Sequence, residues 1–117
     1  MKIVHYQELP PEGVEAEGAS GVTIRWLISD KDGAPRFAMR LFEVEPGGNT
    51  PLHTHETEHE VFILEGTGAV WRDGKEVPVD PGTAVFVPPE ERHCFYNRGE
   101  AVLKFICMVP VNPEKSS

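Results

Sequence analysis

The sequence predicts an all-β domain, a sandwich or barrel of short antiparallel strands. Short segments alternate apolar and polar residues, and no segment shows a convincing helical period. Glycine and proline each occur 11 times, well above their average frequencies, and they fall at short, regular intervals. With 117 residues the chain is long enough for one ordinary domain and not two. We therefore expect about nine strands joined by tight turns.

The predicted strands are short segments bounded by glycine, proline, asparagine or aspartate. In chain order they span residues 21–29, 37–45, 50–55, 59–65, 69–72, 75–80, 83–87, 93–97 and 101–111. The first, GVTIRWLIS, alternates most clearly. Asp73 and Gly74 separate two of these strands, which predicts a two-residue hairpin turn. We expect residues 112–117 to be frayed.

Charge and composition exclude several classes of partner. The net charge of -8 and the pI of about 5.0 argue against nucleic acid and anionic membranes, because both select basic surfaces. No apolar run reaches the roughly 18 residues of a membrane span, and the N-terminus lacks the apolar centre of a signal peptide. We therefore expect a cytoplasmic protein. Cys94 and Cys107 lie in apolar segments and are expected to remain reduced, without a structural disulfide.

Four of the five histidines fall in two clusters that suggest a metal site. His53 and His55 are two residues apart, so in an extended segment they project to the same side. This pair alone would not distinguish a metal site from two surface histidines in a polar loop. His59 follows four residues later, and His93 begins another strand. His5 is isolated, and we interpret it as a surface or core residue.

The segments around these histidines resemble the two sequence motifs of the cupin superfamily. The first motif is G(x)5HxH(x)3–4E(x)6G, and it is matched by Gly47, His53, His55 and Gly66. The second motif is G(x)5PxG(x)2H(x)3N. It is matched by Gly82, Pro88, His93 and Asn97. Glu90 stands where the motif has the glycine of PxG. The resemblance covers about half of the chain. It implies one cupin double-stranded β-helix, a jelly-roll-like barrel, over residues 1–117, with its core at about 37–111.

The third ligand position of the first motif falls on His59 and not on a neighbouring glutamate. Three residues separate His59 from His55, and six residues separate it from Gly66. Glu60 fits the longer spacing from the left but leaves only five residues before Gly66, and Glu58 fits neither spacing. An inward His59 also turns Val61 inward, whereas a shift by one residue would reverse every side chain of the strand. We therefore prefer His59 to Glu60 as the ligand.

The resemblance is strongest to small prokaryotic cupins whose metal, often manganese, is held by four histidines. It implies a divalent transition metal on His53, His55, His59 and His93. Manganese is expected first and iron second, while nickel, copper, zinc and cobalt stay possible because imidazole suits many metals. Four neutral imidazoles leave the full charge on the ion, which makes it a stronger Lewis acid that attracts anionic ligands.

Strand parity predicts the walls of the pocket. Phe95 shares a face with His93, and alternate residues of the last strand share the face opposite Lys104. Arg40 is a charge within an apolar strand, and it either reaches a carboxylate at a subunit contact or anchors an anion in the pocket. The expected pocket-lining residues are Arg40, Phe95, Phe105, Cys107 and Val109.

Three functions are compatible with this site. The first is a metal-dependent, dioxygenase-like oxidoreductase that acts on a small, largely apolar molecule. The second is a non-catalytic metal- or ligand-binding module. A sugar-phosphate isomerase or epimerase ranks lower, because it needs several cationic side chains and Arg40 is the only candidate. We also expect a homodimer formed through the N-terminal strands within residues 1–29, since small barrels usually cover their exposed strand edges.

Overall fold

The computed structural model describes residues 1–111, and these residues form an all-β domain. The predicted frayed end at 112–117 lies outside the described residues. Two single turns of 3₁₀-helix span Tyr6–Glu8 and Asp30–Asp32. The strands are β1 (Glu12–Gly13), β2 (Ser20–Ile28), β3 (Phe37–Asn49), β4 (His59–Glu65), β5 (Gly68–Arg72), β6 (Lys75–Val79), β7 (Ala84–Val87), β8 (Cys94–Asn97) and β9 (Leu103–Pro110). No helix in this described part is long and apolar enough to cross a membrane.

One antiparallel sheet curls into a half-barrel around the core. Its strand order is β6-β5-β8-β3-β9-β4-β7, and β2 pairs with β3. The long strand β3 pairs with β9 from Phe37 to Val44, then meets β8 where Asn49 lies opposite Tyr96. Because β3 continues from one part of the sheet to the other, it joins the two walls. The predicted all-β, jelly-roll-like fold of a single domain is confirmed.

The predicted strand at 50–55 is wrong. This segment forms only an isolated bridge between His53 and His93. Pro51 cannot donate a backbone hydrogen bond, and a ladder here would need such donors. The segment instead crosses the barrel end as a loop. Strand β3 also runs to Asn49, past the predicted end at residue 45, because Gly47 and Gly48 permit a bend without ending the pairing.

Aromatic rings at the middle of the barrel form the centre of the core. Phe105 stacks on Phe95 with ring centroids 4.6 Å apart and on Phe42 at 5.2 Å. Along β4 burial alternates: Val61 and Ile63 are buried, while the residues between them are exposed. This alternation confirms the predicted parity of β4 and turns its first residue, a histidine, toward the barrel interior.

The N-terminal region adds strands to the edge of β3. Strand β2 pairs with most of β3, and the short strand β1 covers β2 only at Thr23 and Ile24. Residues 1–5 lie in no strand, and Ile3 is exposed. The rest of the outer edge of β2 thus has no strand beside it among the described residues. The expectation of a dimer through this region stays a prediction.

Candidate metal centre

Four imidazole rings meet at one end of the barrel. The ring centroid of His55 lies 4.1 Å from that of His53, 4.6 Å from that of His59 and 5.6 Å from that of His93. The rings of His59 and His93 are 5.4 Å apart. The histidines predicted from the sequence are therefore neighbours in space, although they come from separate parts of the chain.

Each histidine is positioned by a different backbone feature. His59 is the first residue of β4, and His93 immediately precedes β8. Reciprocal backbone hydrogen bonds of 3.1 and 3.2 Å tie His93 to His53. The carbonyl of His55 accepts a 2.7 Å hydrogen bond from the N–H of Glu90. These backbone bonds hold the loop that carries His53 and His55 against the segment before β8.

Glu90 adopts a left-handed backbone conformation with φ of 69°. Such a conformation favours glycine, because a Cβ there crowds the backbone. This explains why the motif has a glycine at the position, and the turn before His93 forms nonetheless. The departure from the motif therefore changes the local strain but not the placement of the histidine.

Hydrogen bonds at Nδ1 direct the other ring nitrogen toward the centre of the cluster. Nδ1 of His93 lies 3.0 Å from the backbone carbonyl of Glu91, so this nitrogen carries the proton and donates. Nδ1 of His59 lies 3.4 Å from Sγ of Cys107. The Nε2 atoms of His53 and His55 face each other in direct contact. Nε2 is thus the nitrogen offered at the centre.

Burial lowers the pKa of His53, His55 and His59, which favours their neutral form. It is the largest cause lowering the pKa of His55 to about 4 and that of His59 to about 3. Nearby His53 lowers the pKa of His55 further, and the Arg40 guanidinium lowers that of His59. Burial also lowers the pKa of His53. Neutral imidazoles leave their lone pairs free, and a metal requires this form of the ligand.

The donor set fits a divalent transition metal. One ligand nitrogen from each of His53, His55 and His93 lies within 4.8 Å of the others. The Nε2 atoms of His53 and His55 converge on one point, as two ligand atoms of a single ion would. The ring of His59 packs against the same group, with its Nδ1 held by Cys107. These residues form a three-histidine group with a fourth histidine beside it.

The neighbouring glutamates point away from this group. Glu58 and Glu60 are both exposed. A hydrogen bond from Glu58 is the largest cause raising the pKa of Glu60, which places these two carboxyl groups against each other. The structure therefore places His59, and not Glu60, on the same side as His53 and His55.

A cavity of about 690 Å³ opens beside the histidines, within the size range of small-molecule sites. Its apolar wall includes Trp26, Ala38 and Val109. All its other lining residues except Pro110 and Val111 are polar or charged. They are Glu12, Ser29, Asp30, Lys31, Arg40, Thr54, His55, Glu56, Thr57, His59, Pro110 and Val111. The cavity thus carries more charge than the largely apolar pocket expected from the sequence.

The predicted pocket residues divide into two groups. Arg40 and Val109 line the cavity. Phe95, Phe105 and Cys107 face inward as expected but lie in the buried core beneath the cavity, since the two phenylalanines stack on each other. Strand parity identifies which side of a strand faces the interior, but not how deep along the barrel each residue lies.

Sequence reasoning missed the contribution of β2 and its following turn to the cavity. Trp26 pairs directly with Arg40 in the register of β2 and β3, which brings its ring to the cavity. Lys31 comes from the 3₁₀ turn after β2. The alternation of β2 indicated that Trp26 faces the same side as its apolar neighbours, but only the pairing register shows which residue lies opposite.

Comparison with known proteins agrees with the resemblance to cupins that the sequence motifs indicated. Residues 40–109 match the family model described as a cupin domain. The chain is 33% identical over 113 residues to an oxalate-binding protein of Thermotoga maritima, covering 92% of each chain. It is 30% identical over 104 residues to the quercetin 2,3-dioxygenase of Bacillus subtilis, covering 80% of this chain but 31% of that one. For two other curated relatives, it spans about half of their length.

Solved structures agree with the fold. The polyketide cyclase RemF from Streptomyces resistomycificus superposes with a TM-score of 0.90 at 39% identity, covering 96% of this chain and 80% of that chain. The family model matches more than half of this chain, across the segments that carry the histidine cluster. The chain belongs to the cupin family.

Proposed function

We propose that this chain is a metal-dependent oxidoreductase of the dioxygenase type, which acts on a small molecule in the cavity beside a four-histidine centre. The proposed ligands are His53, His55, His59 and His93. The observation that carries the proposal is the placement of neutral imidazoles in the wall of an open cavity, which His55 and His59 line. Manganese is the proposed native metal, with iron second.

The protein's own groups have distinct roles in this proposal. A divalent metal held by neutral imidazoles supplies Lewis acidity and, if it is redox-active, a place for oxygen. Trp26 and Val109 hold the apolar part of the substrate and limit the access of water to its reacting part. The carbonyl of Glu91 fixes the orientation of His93, and Cys107 that of His59. The match to a quercetin 2,3-dioxygenase supports this class of chemistry.

A second candidate is a protein that binds a metal and a small molecule without turnover. The match to a protein named for oxalate binding supports it, because that match extends over 92% of both chains. A sugar-phosphate isomerase is less well supported. Among the described residues, the cationic side chains of the cavity are Arg40 and Lys31, whereas a phosphate group is usually held by several.

Oxygen consumption separates the first two candidates. The purified protein with its native metal is mixed with a panel of small enolisable and phenolic compounds in air-saturated buffer, and an electrode records oxygen. The oxidoreductase consumes oxygen in proportion to substrate loss, and His93→Ala abolishes the signal while the surface variant Glu60→Ala retains it. Ligand binding without oxygen uptake by any compound in the panel would favour the binding protein.

A further inference from the structure

Arg40 places a cation in the cavity wall beside the histidine cluster. It lies in the middle of β3, opposite Trp26 on β2 and Cys107 on β9. Its guanidinium carbon lies 5.5 Å from the Trp26 ring centroid and 5.0 Å from that of Phe42, so it is within cation–π distance of two aromatic rings. Its Nη2 donates to Sγ of Cys107 at 3.1 Å. These contacts fix the position of the guanidinium without neutralising its charge.

No residue in the described part of the chain provides a counter-ion for Arg40. Among residues 1–111, the ion pairs involve Lys2, Arg25, Arg98 and Lys104, and none includes Arg40. Its Nε is buried and has no hydrogen-bond partner. The other arginine in the middle of a strand, Arg25, has Glu43 at 2.7 Å. A part-buried arginine without a carboxylate costs free energy, which a ligand can recover.

The position of Arg40 connects an anion in the cavity to the metal ligands. Sγ of Cys107 contacts both Nη2 of Arg40, at 3.1 Å, and Nδ1 of His59, at 3.4 Å. One sulfur atom therefore separates the guanidinium from the His59 ring. An anion held by Arg40 would therefore lie beside the histidine cluster.

We propose that Arg40 is the binding site for a carboxylate group of the substrate, and that the substrate is a small planar carboxylate with an unsaturated or aromatic part lying along Trp26. The planar guanidinium suits a carboxylate, whose two oxygens match its fork. A single guanidinium suits one carboxylate better than a phosphate, because a phosphate group is usually held by several cationic side chains. This inference rests on the proposed function only in placing the ligand in the same cavity.

Titration calorimetry with two isosteric probes tests the site. Benzoate and benzamide have nearly the same shape, but only benzoate carries a charge. The titrations use the metal-containing protein in low-chloride buffer under nitrogen, so that no oxygen chemistry occurs. We expect benzoate to bind at least about tenfold more tightly than benzamide, a difference of about 1.4 kcal/mol. Because binding and oxygen uptake are measured separately, either proposal can fail without the other.

Substitutions test whether Arg40, and not another cationic group or the metal, causes the preference for benzoate over benzamide. Arg40→Met should remove the preference for benzoate and leave benzamide binding and metal content unchanged, while Arg40→Lys should retain part of it. The matched control is Arg98→Met, which removes an arginine that pairs with Glu76 outside the cavity and should leave binding unchanged. The metal-free protein should still prefer benzoate.

Three results would overturn the proposal. The first is equal binding of benzoate and benzamide by the wild type, or no binding of either. The second is an undiminished preference for benzoate in Arg40→Met. The third is a preference that vanishes when the metal is removed, since coordination of the carboxylate by the metal alone would then explain it. If Arg40→Met does not fold, three other measurements test the proposal. They are the comparison of benzoate with benzamide in the wild type, the same comparison in the metal-free protein, and the binding of both probes by Arg40→Lys.

Discussion

Replacing Glu90 by glycine should stabilise the protein. Glu90 has a φ of 69°, which costs a residue with a Cβ about 1–2 kcal/mol relative to the right-handed regions. Glycine removes this strain but adds roughly 0.4–1 kcal/mol of conformational entropy to the unfolded chain. These ranges leave a net gain of about 0–1.6 kcal/mol, centred near 0.8 kcal/mol, and the central value corresponds to a rise of roughly 2–6 °C in Tm for a domain of this size.

Two control variants isolate the backbone effect. Glu90→Ala removes the same charge but keeps a Cβ, so it should show little gain. Glu91→Gly introduces glycine at a neighbouring position without a positive φ, and it should lose about 0.4–1 kcal/mol. Metal content should not change in Glu90→Gly, because the bond to His55 uses the backbone N–H.

Urea denaturation and thermal unfolding, both monitored by circular dichroism, measure the stability of each variant relative to the wild type. The reasoning predicts the stability order Glu90→Gly, then Glu90→Ala, then Glu91→Gly. If Glu90→Gly were no more stable than Glu90→Ala, the left-handed strain assigned to this turn would be refuted.

Three further predictions follow from particular contacts. Asn97→Ala should lower the free energy of unfolding by about 2–4 kcal/mol. The buried Asn97 side chain donates to the carbonyls of Val44 and Ala101 and accepts from the Gly99 N–H, and the substitution removes all three bonds. A loss below about 1 kcal/mol in urea denaturation would contradict this prediction. Metal-loaded protein given peroxide should oxidise at Cys107 before Cys94, whereas metal-free protein should not. Both thiols are buried and burial raises both pKa values, but only Cys107 contacts a proposed ligand ring; equal oxidation by peptide mass spectrometry would argue against redox chemistry at the site. The chain should be a homodimer in light scattering at micromolar concentration, and a monomer mass would count against the use of the β2 edge as an interface.

The sequence was most informative where a local rule determines the result. The spacing of His53, His55 and His59, together with the parity of β4, was enough to place these rings on one side. The hairpin at Asp73 and Gly74 was predictable because both residues tolerate the positive φ that such turns require, and both have it.

The features that sequence reasoning missed depend on non-local pairing. The segment 50–55 was expected to be a strand, but its backbone bonds to Phe95, His93 and Glu90 form only an isolated bridge and it remains a loop. Trp26 reaches the cavity through the register of β2 on β3, which no local pattern encodes. Phe95 and Phe105 face inward as predicted, yet their depth in the barrel depends on how the walls pack.

His59, and not a neighbouring glutamate, is proposed to complete the metal site. Elemental analysis by plasma emission spectrometry of the wild type, His59→Ala and Glu60→Ala, purified in parallel, tests it most directly. We expect a stoichiometric divalent transition metal in the wild type and in Glu60→Ala, and a strongly reduced content in His59→Ala. Metal retained in His59→Ala but lost in Glu60→Ala would contradict it.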